Sequence, residues 1–420
     1  MSQQYVKKIL DARIYDLAIE TPVDDAPLLS HRLNNQVLLK REDLQPVFSF
    51  KLRGAYNKLR HLSKEQLAAG VVAASAGNHA QGLALAAKKM GVSATIVMPQ
   101  TTPAIKVDAV RARGAQVVLI GDSYDAAAAY ADQLVEEKGM TYIHPFDDPE
   151  IIAGQGTIGM EILRQIPGDL DAIFIAVGGG GLCAGVAAYV KNLRPDIKII
   201  AVESDDAACL DAAMKAGHRV RLKEVGIFAD GTAVAQIGKE TFRLLKDLVD
   251  EVITVSTDEI CAAIKDVYND TRAICEPSGA LGTAGLKKYV ETHGVKGQTL
   301  LAIQCGANID FDRLRYISER TETGEKREAV LAATIEEKPG SFQAFCQALH
   351  RRNISEFNYR YSDDRQAQIF VGVKVSSDDD RHKLVAELQA KGYQVSDMTD
   401  NETAKLHIRH MVGGHAPQVG

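Results

Sequence analysis

Three short runs in this chain carry residue types that do chemistry, and each lies where a turn opens into a helix. The first is Ser49-Phe50-Lys51-Leu52-Arg53-Gly54, which sets a lysine between apolar neighbours at the mouth of a helical stretch, Ala55 to Leu62. Burial disfavours the ammonium form of a lysine, and the neutral amine is the nucleophile that a carbonyl compound needs for imine formation. Taken alone, a lysine at a helix start is far more often a solvated surface charge, so this run does not decide the matter.

The second run is Ser75-Ala76-Gly77-Asn78-His79, between an apolar strand and a helix. Backbone N–H groups at a helix N-terminus and the Ser75 hydroxyl make a seat for an anion, and a substrate carboxylate suits it. The plainer alternative is an ordinary strand-to-helix turn with Asn78 as N-cap. The third run, Gly178-Gly179-Gly180-Gly181-Leu182, follows the strand DAIFIAV and precedes the helix CAGVAAYVKNL. Four glycines let the backbone wrap an oxyanion and the helix dipole adds partial positive charge, so a phosphate is the expected guest. Close helix-strand packing is the structural alternative.

This third run overlaps another pattern. Gly179-x-Gly181-x-x-Ala184 follows a strand and opens a helix, and Glu203 ends the next strand, as in the dinucleotide fingerprint. An NAD-dependent dehydrogenase is therefore a second reading. Against it, the motif lies mid-chain, and the first two runs are left without a purpose.

The elements that must position these runs are α/β. Strands are expected at Val71 to Ala74, Ala94 to Met98, Gln116 to Ile120, Ala172 to Val177 and Lys198 to Val202, most of them almost uninterruptedly apolar, as strands covered on both faces are. Helices at Ala80 to Met90 and Ser123 to Glu137 carry the 3.6-residue period of packing helices. The charged run Ser318 to Glu328 lacks apolar periodicity and is expected to be a linker. Beyond it come strand Ala329 to Ile335, helix Phe342 to Arg351, strands Ile354 to Tyr361 and Gln368 to Val375, helix Asp380 to Lys391 and strand Tyr393 to Asp397. That order, β-α-β-β-α-β, is ferredoxin-like. The tail MVGGHAPQVG is expected to be loosely ordered.

Composition narrows the partners. With 420 residues, 46% hydrophobic and 25% charged, the chain has the usage of a globular protein of more than one domain. A net charge of −6 offers no basic field, so neither nucleic acid nor a membrane is expected as a partner. The N-terminus lacks the apolar core of a signal peptide, and a cytoplasmic location is expected. Six cysteines without a C-x-x-C pair suggest neither a zinc site nor a disulfide framework; five are expected as core thiols, and Cys305 stands apart. No metal site is expected.

In order along the chain, KREDLQPVFSFKLRGAY, ASAGNHAQGLALAA, PFDDPEIIAGQGT, VGGGGLCAG, EPSGALGTAG and LRYISER closely resemble the biosynthetic threonine dehydratases (threonine ammonia-lyases), of the fold type II, tryptophan-synthase-β-like group of pyridoxal-5′-phosphate enzymes. The resemblance implies a catalytic domain over 1–319 with two open α/β subdomains, a linker over 320–328, and a regulatory domain over 329–420. It implies that Lys51 is the Schiff-base lysine and later the base that takes the Cα proton, that Phe50 flanks the cofactor ring, and that Asn78 hydrogen-bonds its phenolic oxygen. It further implies that Gly178, Gly179, Gly180, Gly181 and Leu182 hold the phosphate, while Ser75, Ala76, Gly77 and Asn78 hold the carboxylate of L-threonine. The products would be 2-oxobutanoate and ammonia, at the first step of isoleucine biosynthesis. Other members of the group, a serine dehydratase or a racemase, are the nearest alternatives.

Cys305, in QCGANID, matches the position that faces the pyridine nitrogen, where close relatives often have serine. Either side chain is neutral, so neither keeps the ring nitrogen protonated as an aspartate would. Glu276 and Asp230-Gly231 are expected at the border of the pocket. His79 and His144 are acid/base candidates by type, but a histidine beside a turn is more often structural, and neither receives a catalytic role.

EEKPGSF, with Pro339-Gly340 between a strand and a helix, looks like the effector loop of ACT-type amino-acid-sensing domains. It implies inhibition by isoleucine, opposed by valine. Long family members carry two such units where this chain has one, so effector sites would form across a subunit interface and the protein would be a homo-oligomer, dimer or tetramer. Use of the domain for assembly alone is the alternative.

Overall fold

The computed structural model describes residues 2–350, 352–361 and 366–401 and divides into two units, 1–314 and 315–420. The first unit holds two sheets. One has six strands in the spatial order Val23–Asp25, Gln36–Arg41, Thr299–Gln304, Ala172–Ala176, Lys198–Ser204 and Glu251–Val255; only its first pair is antiparallel. The other has four parallel strands in the order Gln116–Leu119, Ala94–Met98, Val71–Ala74 and Thr141–Tyr142.

Alternate side chains of the smaller sheet enter different cores. Val71, Ala73, Ile96 and Met98 pack with Leu83, Ala84 and Ala87 of the helix Asn78–Met90. Val72, Ala74 and Val97 pack with Ala127, Ala131 and Leu134 of the helix Tyr124–Lys138. Two covered faces are why these strands read as unbroken apolar runs. Ser123 caps the second of these helices, its hydroxyl accepting from Ala126 N.

The second unit is an antiparallel sheet in the order Ile354–Tyr361, Gln366–Lys374, Glu328–Glu336 and Gln394–Asp397, with the helices Ser341–Ala348 and Asp378–Ala390. Leu331, Ala333, Ile369 and Val371 face Phe345, Leu384 and Leu388 in one core. The β-α-β-β-α-β order matches the expectation.

The charged run does not. Ser318 to Gly324 continue the helix Arg313–Gly324, and a strand already begins at Glu328, inside the stretch expected as linker. Its charges are spaced for a helix surface: Arg315 donates to Glu319 at 2.8 Å, one turn on, while Ile317 and Thr321 are buried. The helix expected to reach Arg351 ends at Ala348; Arg351 and the tail MVGGHAPQVG lie outside the described residues. Among the described residues no helix is long and apolar enough to cross a membrane. All six cysteines are free; five are buried, including Cys305, whereas Cys346, expected in the core, is only part-buried.

Candidate active site

Lys51 is the first residue of the helix Lys51–Arg60, and glycines on both sides let this helix sit against its neighbours at backbone distance. A Cβ on Gly154, from the helix Pro149–Gln165, would lie 2.6 Å from Gly54 Cα, and one on Gly82 would lie 3.0 Å from Leu52 N. Beneath it, Arg53 is fully buried and forks onto Glu42 Oε1 at 2.7 Å and Glu161 Oε1 at 2.5 Å, while Lys40 Nζ completes the cluster on Glu161 Oε2 at 2.7 Å. The amine of Lys51 is thereby fixed in place, donating to Pro145 O at 3.1 Å. Its pKa is lowered to about 8, first by burial; Cys305 and Glu276 pull it back up.

The end of the strand Thr299–Gln304 runs beside this lysine: Phe50 N donates to Cys305 O at 3.3 Å, and Ser49 bridges to Gly306. The Cys305 thiol donates to Ser278 O at 3.3 Å, and burial raises its pKa, so it stays neutral. The Phe50 ring centroid is 5.3 Å from Lys51 Nζ.

Asn78 is the first residue of its helix, and the N-cap is Gly77, without a side-chain cap. The reading of Asn78 as a capping residue is therefore corrected. Its Nδ2 donates to Glu276 Oε1 at 2.6 Å and its Oδ1 accepts from Asn308 Nδ2 at 2.6 Å. Glu276 is buried, with a pKa raised to about 7 by burial and by Asp230, against Asn78, Lys106 and Lys51. In the preceding turn Ser75 Oγ accepts from Gly77 N at 3.4 Å. Among the described residues, the N–H groups of Ala76 and Asn78 have no backbone acceptor.

The four-glycine loop joins the strand Ala172–Ala176 to the helix Gly181–Leu193, and Gly180 has φ 90°. A Cβ on Gly179 would lie 2.2 Å from the Phe146 ring, and one on Gly178 2.8 Å from Thr232 Cα, so the glycines also serve close packing. The loop's carbonyls are tied back: Gly179 O accepts from Thr241 Oγ1 at 2.7 Å and Gly238 N at 3.3 Å, and Gly178 O from Cys209 Sγ at 3.3 Å. Among the described residues, the N–H groups of Gly178 to Cys183 have no backbone acceptor. Glu203 is fully buried and caps a helix start, accepting from Leu210 N and Asp211 N at 2.8 Å each. It is spent on protein groups and is not placed to take a ribose, which removes the support for a dinucleotide site.

His79 is buried with Nε2 on Ile143 O at 2.8 Å, and burial drives its pKa down to about 3. Its ring is spent on a backbone carbonyl in the core. The sequence reading missed Asn308, although it lies in the QCGANID segment singled out for Cys305, and it missed the carbonyl of Pro145.

A family model described as pyridoxal-phosphate dependent enzyme matches residues 14–306, and one described as the C-terminal regulatory domain of threonine dehydratase matches 319–408. The biosynthetic L-threonine dehydratase IlvA of Burkholderia multivorans is 56% identical over 99% of this chain and 83% of its own length; that of Escherichia coli is 53% identical over 98% and 80%. The chain belongs to the biosynthetic threonine dehydratases. Among solved structures, the processed threonine deaminase isoform 2 from Solanum lycopersicum superposes with a TM-score of 0.75 at 51% identity, covering 76% of this chain and 88% of its own. The serine racemase of Dictyostelium discoideum superposes with a TM-score of 0.68 at 34% identity, over 73% of this chain and 99% of its own. The same scaffold thus serves more than one reaction.

Threonine dehydratases of this family use pyridoxal 5′-phosphate, and the residues here fit it. A phosphate takes donors, and the glycine loop leaves donors only, its carbonyls being engaged elsewhere. A carbonyl takes a neutral amine, and Lys51 supplies one near neutral pH.

Proposed function

We propose that this chain deaminates L-threonine to 2-oxobutanoate and ammonia at the first step of isoleucine biosynthesis. The observation that carries the reading is the amine of Lys51, its pKa lowered to about 8, beside the neutral thiol of Cys305. Pyridoxal phosphate supplies, when bound, a carbonyl that condenses with amines and a conjugated ring that accepts the electron pair released at Cα. The N–H groups of Gly178, Gly179, Gly180, Gly181 and Leu182 would hold its phosphate, Asn78 Nδ2 its phenolic oxygen, and the Phe50 ring its flank. The turn Ser75, Ala76, Gly77 and Asn78 would hold the substrate carboxylate through its N–H groups. Lys51 Nζ would be the base that takes the Cα proton, and a pKa near neutrality suits that task. The Cys305 thiol, which already donates to Ser278 O, would offer the ring nitrogen no charged partner, which would favour elimination over transamination.

The regulatory unit would bind isoleucine, with valine opposing it, at the loop where Gly340 takes φ 91° between the strand Glu328–Glu336 and the helix Ser341–Ala348. The protein would act as a homo-oligomer in the cytoplasm.

The test is direct. The purified protein should be yellow, and borohydride should fix the cofactor on Lys51. L-threonine should turn over with a higher kcat/KM than L-serine, and isoleucine should depress the rate. A kcat/KM for serine well above that for threonine overturns the substrate, and a rate unmoved by saturating isoleucine removes the regulation.

A further inference from the structure

The segment His144-Pro145-Phe146-Asp147-Asp148 carries three separate connections in five residues. Pro145 O accepts from Lys51 Nζ at 3.1 Å. The Phe146 ring fills the space above Gly179, where a Cβ would come within 2.2 Å of it, and Phe146 O lies 3.0 Å from the corresponding point on Gly181. Asp147 accepts from Lys239 N, Glu240 N and Thr241 N at 2.8, 2.8 and 3.2 Å, so it caps the helix Lys239–Leu248, whose Thr241 hydroxyl grips Gly179 O.

What shapes the segment is His144. Its Nδ1 accepts from Phe146 N at 3.2 Å and from Asp147 N at 2.8 Å. A nitrogen that accepts two N–H groups carries no proton, so the ring is neutral with its hydrogen on Nε2. Burial lowers its pKa, against Asp147 and Asp148 and with Lys51, which keeps that state. The ring also meets Phe146 edge-on, centroids 4.6 Å apart at 88°. One imidazole thus sets the rotation of the peptides that carry both the lysine's acceptor and the ring over the glycine loop.

We propose that His144 is a positioning residue for the reaction, aiming Pro145 at the Lys51 amine and Phe146 at the glycine loop. It touches neither reacting atom, and it acts by holding a turn that local backbone bonding alone leaves open. The inference rests on Lys51 being the cofactor lysine, and the two fail separately: borohydride that fixes nothing on Lys51 sinks that reading, whereas the acylation profile below needs no cofactor.

The deciding comparison is His144→Leu with His144→Asn, in the full chain stripped of cofactor. Asparagine places an acceptor oxygen at the same distance from the backbone as Nδ1 and closes the same kind of turn; leucine has none. The pH profile of Lys51 acylation, followed by mass spectrometry, reports the pKa of that amine. In the leucine variant water reaches Lys51 and the profile should rise by about one unit, roughly tenfold less neutral amine at pH 7. The affinity for added pyridoxal phosphate should fall about tenfold in parallel. The asparagine variant should restore both. If leucine unfolds the chain, His144→Ala, which adds no bulk, carries the same reading. A profile unmoved in the acceptor-less variant, or moved as far by asparagine, overturns the proposal and leaves His144 a packing residue.

Discussion

The amide of Asn78 donates to the buried carboxylate of Glu276 at 2.6 Å, joining residues 198 positions apart. The pair ties the helix behind the second sequence run to the start of the helix Pro277–His293, and it makes Glu276 a source of pH dependence. Its folded pKa, about 7, stands above the ordinary 4.5. The folded state therefore holds this proton more tightly than the unfolded chain does. The stability it contributes is full below about pH 4.5 and is lost as pH rises through 7. Glu276→Gln keeps an acceptor for Asn78 and removes the titration. The variant should gain on the wild type as pH rises, by up to about 3 kcal/mol at pH 8. Urea titrations at pH 5 and pH 8 check this, and a gap that stays constant with pH refutes it.

Cys305→Ser should retain elimination to within about tenfold, since a hydroxyl can donate to Ser278 O as the thiol does. Cys305→Asp sets a carboxylate against that carbonyl and near Glu276, and should lose at least about a hundredfold in 2-oxobutanoate formation. Equal turnover by the two variants would contradict the role given to the neutral side chain.

Arg53→Met leaves Glu42 and Glu161 buried without their shared cation. Breaking a buried pair in this way costs about 3–5 kcal/mol. Chemical denaturation should show that loss, with little dependence on salt because the cluster is closed to solvent.

Gly179→Ala drives a methyl into the Phe146 ring, 2.2 Å from its nearest atom. The ring must leave the glycine loop, and pyridoxal phosphate affinity, followed by absorbance, should fall about tenfold or more. Gly168→Ala is the control, because Gly168 is exposed and a Cβ there meets nothing within 4 Å.

Much of the fold was legible because its signals are local. Nearly unbroken apolar runs marked Val71–Ala74 and Ala94–Met98 to the residue, since strands covered on both faces have no solvated side. The run 318–324 misled because its buried positions, Arg320 and Thr321, are polar, so a charged helix surface without an apolar stripe resembles a linker. The lysine, the glycines and the thiol could likewise be named from their runs and from the family those runs resemble.

Their partners could not be. Which atom Asn78 holds, what Lys51 donates to and what Glu203 caps depend on contacts across tens to hundreds of positions, and no spacing rule reaches so far. The sequence by itself determined that this chain carries a lysine at a helix start, a four-glycine loop between strand and helix, and a thiol at 305. Only the tertiary structure decided that sheet order brings residues 49–50 beside 305–306. It also decided that burial there makes the amine of Lys51 a base near neutral pH.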